Sequence, residues 1–99
     1  MSALFVCMVD YLQPYEKVQE VLASHREYLK KGYEKGILLA SGPRNPKDGG
    51  IIIGRFKDKA DALAFSKQDP FCLQNLAEYR IFEFEPVLHA EILTSFLEQ

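Results

Sequence analysis

Ninety-nine residues, 47% of them hydrophobic and 26% charged, fit one globular domain with a core of its own and exclude a disordered chain. The formal net charge of −2 leaves no basic field to neutralise phosphates, so nucleic acid is not an expected partner. The chain enters a strand-like run at once, without the charged and apolar regions of a signal peptide, and no apolar stretch approaches the roughly 18 residues of a membrane helix; it reads as cytoplasmic, with no membrane partner.

Residues 3–9 form a continuous apolar run of strand length, suited to a central strand buried on both faces. Pro14 stands at the first turn of a helix predicted to run to about residue 35, where Gly36 supplies a left-handed C-terminal residue. Residues 37–40 restart a strand that Ser41-Gly42-Pro43 stops, because proline has no amide hydrogen to give a ladder. A polar turn over 44–50 leads to a third strand at 51–57, and the two strands should form a hairpin. Asp58 is the expected N-cap of a second helix ending at Gln68, with Ala60, Leu63, Ala64 and Lys67 marking one face. Residues 71–76 add a short helical turn, and 78–84 alternate as an aromatic-rich fourth strand. Residues 86–99, with Leu88, Ile92, Leu93, Phe96 and Leu97 near helical spacing, form a C-terminal arm or helix of the same 1–99 domain.

The order β-α-β-β-α-β is the ferredoxin-like split: an α+β fold with two helices on one face of an antiparallel four-stranded sheet. Strands one, three and four carry apolar residues of both parities, so the other face should meet a second sheet in a homodimer.

His25 interrupts an apolar helical stripe of Val18, Val21, Leu22, Tyr28, Leu29 and Gly32. A free imidazole titrates near pH ~6.5, so an inward histidine with one fixed partner could act as acid or base; a core histidine bonded to a carbonyl is the plainer alternative, and the stripe leaves both open. The topology gathers Asp10, Tyr11, Ser41-Gly42-Pro43 and Asp69-Pro70-Phe71 at one end of the sheet. His25, ten residues into its helix, should lie about 15 Å below that end. If it meets Asp69, the carboxylate would fix the tautomer and leave the second ring nitrogen to move a proton. Ser41 and Gly42 would offer a hydroxyl and an approachable backbone, and Pro43 and Phe71 would wall the pocket. Arg44 is a candidate for attracting substrate charge. Cys7 and Cys72 stand apart from any metal-ligand spacing and read as reduced packing residues, and His89 reads as exposed or interfacial.

Four features together, His25, residues 36–43 (GILLASGP), Gly49-Gly50 and Asp69-Pro70-Phe71, resemble the YciI-like (YCII-related domain) family over residues 3–88. The resemblance implies a dimeric α+β barrel, similar in architecture to muconolactone isomerases and small haem-free monooxygenases. It also implies a site in which His25 and Asp69 are catalytic and Ser41, Gly42, Pro43, Pro70 and Phe71 bind the ligand. Relatives often carry Asp two residues before the helix-ending glycine, where this chain has Glu34. No cofactor and no metal are implied.

Two functions follow as expectations. One is a cofactor-independent enzyme of lyase or isomerase type, using a His25–Asp69 acid/base pair on a small anionic or phenolic metabolite. The other is a non-catalytic dimeric module that binds a small ligand or a protein in the same cleft. An RNA-recognition domain of the same topology is the weakest reading, because residues 50–57 offer a single aromatic, Phe56.

Overall fold

The computed structural model describes residues 3–98. The central strand β1 (Leu4–Tyr11) pairs antiparallel with β3 (Gly49–Gly54) on one side and β4 (Ala77–Phe84) on the other, and β2 (Leu38–Pro43) forms an edge beyond β3. The sheet order β2-β3-β1-β4 is the ferredoxin-like arrangement.

Strand parity divides the sheet. Phe5, Cys7 and Val9 of β1, Ile52 of β3 and Ala77 of β4 are buried beneath the helices, in one cluster with Val18, Leu29, Ala62 and Phe71. The alternate residues Val6, Met8, Ile53, Phe82 and Phe84 share the opposite face; Phe82 is 53% and Phe84 46% exposed.

The predicted first helix is two helices, α1 (Tyr15–Gln19) and α2 (Leu22–Glu34), separated at Val21 with φ −114° and ψ 1°. No glycine or proline marks this break. Val18 and Val21 are β-branched, hence indifferent helix formers, and both are buried, so packing sets the local geometry. The C-terminus of α2 follows expectation: Gly36 takes φ 74°, and the Gly36 and Ile37 amides donate to the Tyr33 and Gly32 carbonyls in a Schellman arrangement.

Ser41-Gly42-Pro43 belongs to β2 rather than ending it. Pro43 pairs with Gly50 on an edge strand, where its missing amide hydrogen costs no central ladder bond. A register shift between Leu38 and Ala40 changes the parity, so that Leu38 and Ser41 face the same side.

Helix α3 (Lys59–Lys67) begins at Asp58 as expected, the carboxylate accepting from the Asp61 amide at 2.8 Å. Its inward face differs from the expected one. Ala62 and Ser66 are buried and Phe65 packs on Phe56 and Tyr28, while Leu63 is 42% exposed and Ala60, Ala64 and Lys67 face solvent. The bulk of Phe65 decides the rotation, and the small residues beside it permit close approach.

The short helix α4 (Pro70–Leu73) leads into β4, and after β4 the chain ends in a 3-10 turn (Glu91–Leu93) and α5 (Thr94–Leu97). Leu97 is buried and Arg55 lies over the Phe96 ring, whereas Leu88 and Ile92 are exposed. Among the described residues no helix is long and apolar enough to cross a membrane.

Asp58→Ala removes the α3 cap and is expected to cost about 1 kcal/mol. In a domain of this size that lowers the melting temperature by roughly 4–8 °C, as thermal unfolding followed by circular dichroism would show.

Candidate active site

The sequence Asp-Pro-Phe builds a helix start. Asp69 is the N-cap of α4 with Pro70 at the first helical position, and the Phe71 amide donates to Asp69 Oδ1 at 2.9 Å. The same oxygen accepts from His25 Nδ1 at 2.9 Å, and Oδ2 accepts from the Tyr79 hydroxyl at 2.5 Å. Asp69 is fully buried. Its partners are all donors, drawn from α2, from its own turn and from β4, which is how a carboxylate is accommodated out of water. Burial first, and then the Asp69 charge, push the Tyr79 hydroxyl far above the usual tyrosine range, so it remains a donor.

The break before α2 sets His25 near the start of its own helix. Instead of lying ten residues along one helix, His25 is the fourth residue of α2, and its amide donates to the Val21 carbonyl in the first turn. Its ring stacks flat on Phe71, with centroids 3.9 Å apart and an interplanar angle of 4°. Because the carboxylate accepts at Nδ1, Nδ1 carries the hydrogen and Nε2 of the neutral ring holds a lone pair. Nε2 has no hydrogen-bond partner among the described residues, and the side chain is 12% exposed.

His25 lines a cleft of about 180 Å³ between α2, the ends of β1 and β3, and β2. Ser41, Gly42, Pro43 and Phe71 line it too. Ser41 Oγ lies 2.7 Å from the Tyr33 hydroxyl, a hydrogen bond that holds α2 against β2. Asp69 does not reach the cleft but stands behind the imidazole. Pro70, expected to bind ligand, is outside: it borders a shallow depression with Ala23, Ser24 and Tyr28, because the first residue of α4 points away from the sheet.

Arg44 is also displaced from the expected role. Asp10, at an even position of β1, lies on the outer face, and Arg44 binds it at 3.0 Å and Asp48 at 3.0 Å. Arg80 binds Asp10 as well, at 2.6 Å, and the two guanidinium groups hold the Asp10 carboxyl below its usual range. Glu34 is exposed at the end of α2 and is not part of the cleft. Burial, with the Asp69 and Glu78 charges, pushes the Cys72 thiol up to about 11, which keeps it a thiol rather than a nucleophilic thiolate.

Sequence reasoning missed Tyr79, Arg26 and Tyr15, and placed Tyr11 at this end of the sheet without a role. Tyr79 carries the inward parity of β4, but no spacing connects it to Asp69. Arg26, next to His25, lines the cleft although its helix position resembles a solvent face. Tyr11 and Tyr15 form an aromatic wall, Tyr11 meeting Phe71 edge-on at 5.9 Å and stacking on Tyr15 at 6.3 Å. Burial and Tyr15 raise the Tyr11 hydroxyl above its ordinary value, against the pull of Arg44 and Arg26.

With a buried carboxylate behind a ring whose far nitrogen is open, the arrangement can hold a proton at Nε2 and release it there. Among the described residues no group of three or more His, Cys, Asp or Glu is placed to hold a metal ion.

No curated protein matches this chain. A similar solved structure is that of 5-chloro-2-hydroxyhydroquinone dehydrochlorinase from Burkholderia phenoliruptrix, in complex with 2,5-dihydroxybenzoquinone. Its TM-score is 0.71 at 18% sequence identity, over 83% of this chain and 93% of that one, a likeness of fold. The model of the YCII-related domain matches residues 3–85, spanning β1 to the end of β4 and thus the whole His25–Asp69 arrangement, and the chain belongs to that family.

Proposed function

We propose that the protein is a cofactor-independent enzyme of lyase or isomerase type in which His25 and Asp69 form the acid/base pair. The observation that carries this reading is the 2.9 Å bond from His25 Nδ1 to a fully buried Asp69, with Nε2 open to the cleft. Nε2 takes a proton from a small metabolite bound against Phe71. Asp69 stabilises the imidazolium so formed, and the proton returns to the substrate at another atom in an isomerisation or leaves the enzyme after loss of a leaving group in an elimination. Ser41 and the Gly42 and Pro43 backbone border the bound molecule. The fold neighbour is named a dehydrochlorinase and holds a single-ring quinone, which supports an elimination on a ring of that size. An apolar cavity of about 150 Å³ takes a benzene ring, so this cleft has room for one substituted ring.

The second part of the reading is a homodimer formed through the outer sheet face, in the cytoplasm. Val6, Met8, Ile53, Phe82 and Phe84 supply an apolar surface of the kind a stable interface buries, and both cysteines are unpaired, as a reducing compartment requires. The outer positions of the two middle strands are aliphatic rather than aromatic, which suits a partner sheet and not stacked bases.

The test is turnover of 5-chloro-2-hydroxyhydroquinone and a panel of enol lactones and hydroxyquinols, read as chloride release or as deuterium uptake from D2O by NMR. His25→Ala is expected to lower the rate by about 10²–10⁴-fold and to remove the limb over which rate rises with pH. Asp69→Asn, which retains the shape and removes the charge, lowers it substantially; Tyr79→Phe, which removes one donor to Asp69, lowers it less. Wild-type rates in His25→Ala would sink the proposal, and ligand binding without any His25-dependent exchange across the panel would leave the binding-module reading in its place. For the dimer, Phe82→Glu is expected to convert a dimeric sedimentation profile to a monomeric one; a wild-type monomer would overturn that part.

A further inference from the structure

We propose that Arg26 is the substrate-anchoring residue of the cleft and that the site takes a single-ring metabolite bearing a carboxylate in preference to a neutral ring. The inference rests on the His25 cleft being the functional site and adds a residue and a charge class to it.

Four ionisable side chains line the cleft among the described residues. They are His25, Arg26, Tyr11 and Tyr15, and no carboxylate is among them. The nearby acids are engaged elsewhere: Asp69 lies behind the imidazole under three donors, Asp10 is bound by Arg44 and Arg80 on the other face of the sheet, and Asp48, whose charge also reaches Tyr11, is bound by Arg44.

The cations divide in the same way. Arg44 is held by two carboxylates, so its donors are spent. The Arg26 guanidinium lines the cleft and has no hydrogen bond or ion pair among the described residues; both its charge and that of Arg44 reach Tyr11 in the cleft wall. Lys47 adds a second positive charge at the rim, 5.6 Å from the centre of the Tyr15 ring. A planar fork of donors beside an aromatic-walled slot matches a carboxylate on a flat ring, which can accept two parallel hydrogen bonds while the ring packs against the wall.

Because Arg26 immediately follows His25 on α2, an anion held at Arg26 sets the distance from the ring of the ligand to Nε2. Arg26 thereby governs which atom of the ligand faces the base. It contributes position and charge selection, whereas His25 contributes proton transfer.

The experiment compares 4-hydroxybenzoate with the neutral 4-hydroxybenzamide, binding being followed by calorimetry and by amide shifts in two-dimensional NMR. The wild-type protein should bind the carboxylate about tenfold or more tightly than the amide, the scale of one charge-assisted hydrogen-bond pair. In Arg26→Gln the preference should shrink to about two- to threefold with amide affinity unchanged, and Arg26→Lys should restore part of it. His25→Asn should keep the preference, so an anchor that holds while His25-dependent turnover is absent separates this inference from the acid/base reading. Equal affinities in the wild type, no binding of either probe, or an undiminished preference in Arg26→Gln would each overturn it.

Discussion

The buried carboxylate of Asp69 is the constraint on which the structure turns. A charge withdrawn from water must be met by donors in place, and the chain meets this one with the His25 ring, the Phe71 amide and the Tyr79 hydroxyl. These partners come from α2, the start of α4 and β4, three segments far apart in sequence. The carboxylate that orients the imidazole therefore also ties the helix layer to the sheet, through the Tyr79 hydroxyl on β4. Loss of one partner from such a site leaves charge uncompensated, at a cost on the order of 3–5 kcal/mol, more than most single side-chain contacts provide. Fold and candidate chemistry share this interaction, so Asp69→Asn is more informative than truncation: it retains the volume while changing the charge.

Parity along β1 accounts for the distribution of charge around the cleft. Val9 and Tyr11 point to the helix side, while Asp10, between them, points to the other. The acidic residue nearest the cleft in sequence is thus on the wrong face to reach it, and it gathers Arg44 and Arg80 there. This is why Arg44, placed at the right end of the sheet by topology, pairs with carboxylates on the outer face instead of lining the cleft. Among the described residues that line the cleft on the helix side, Arg26 supplies the guanidinium, beside an aromatic wall. Topology locates residues along the strand axis, and the alternation of the pleat then decides which side of the sheet each serves.

Much of the fold was legible because periodicity and punctuation act locally. The Asp58 cap, the Gly36 terminus, the hairpin and the inward stripe from Val18 to Gly32 all follow from backbone chemistry within a few residues. The break at Val21 was not legible, since no residue there forbids a helix and burial alone imposes it. At the site, where helix rise alone predicts about 15 Å between His25 and the end of the sheet, His25 is in direct contact with Asp69. The rotation of α3 was misjudged for a related reason, because Ala60, Leu63 and Ala64 have the spacing of a core face but Phe65 has the volume. Tyr79 and Arg26 could not be read from spacing at all, since each acquires its role from a neighbour brought by tertiary structure.

The two faces of the sheet make independent demands on the same strands. Along β1, Phe5, Cys7, Val9 and Tyr11 serve the core and the cleft, and Val6 and Met8 serve the outer surface beside Ile53 and Phe82. A slip of one residue would carry Asp10 into the core and Val9 to the outer surface, so both faces disfavour it together. β2 answers the same demand differently. Its register shift between Leu38 and Ala40 changes parity once, so Leu38 fills the core and Ser41, three residues on, still faces the cleft. Without that shift Ser41 would point outward and the Tyr33 hydroxyl would lose its partner across the cleft mouth, so an irregularity at a sheet edge positions the corner that borders the base.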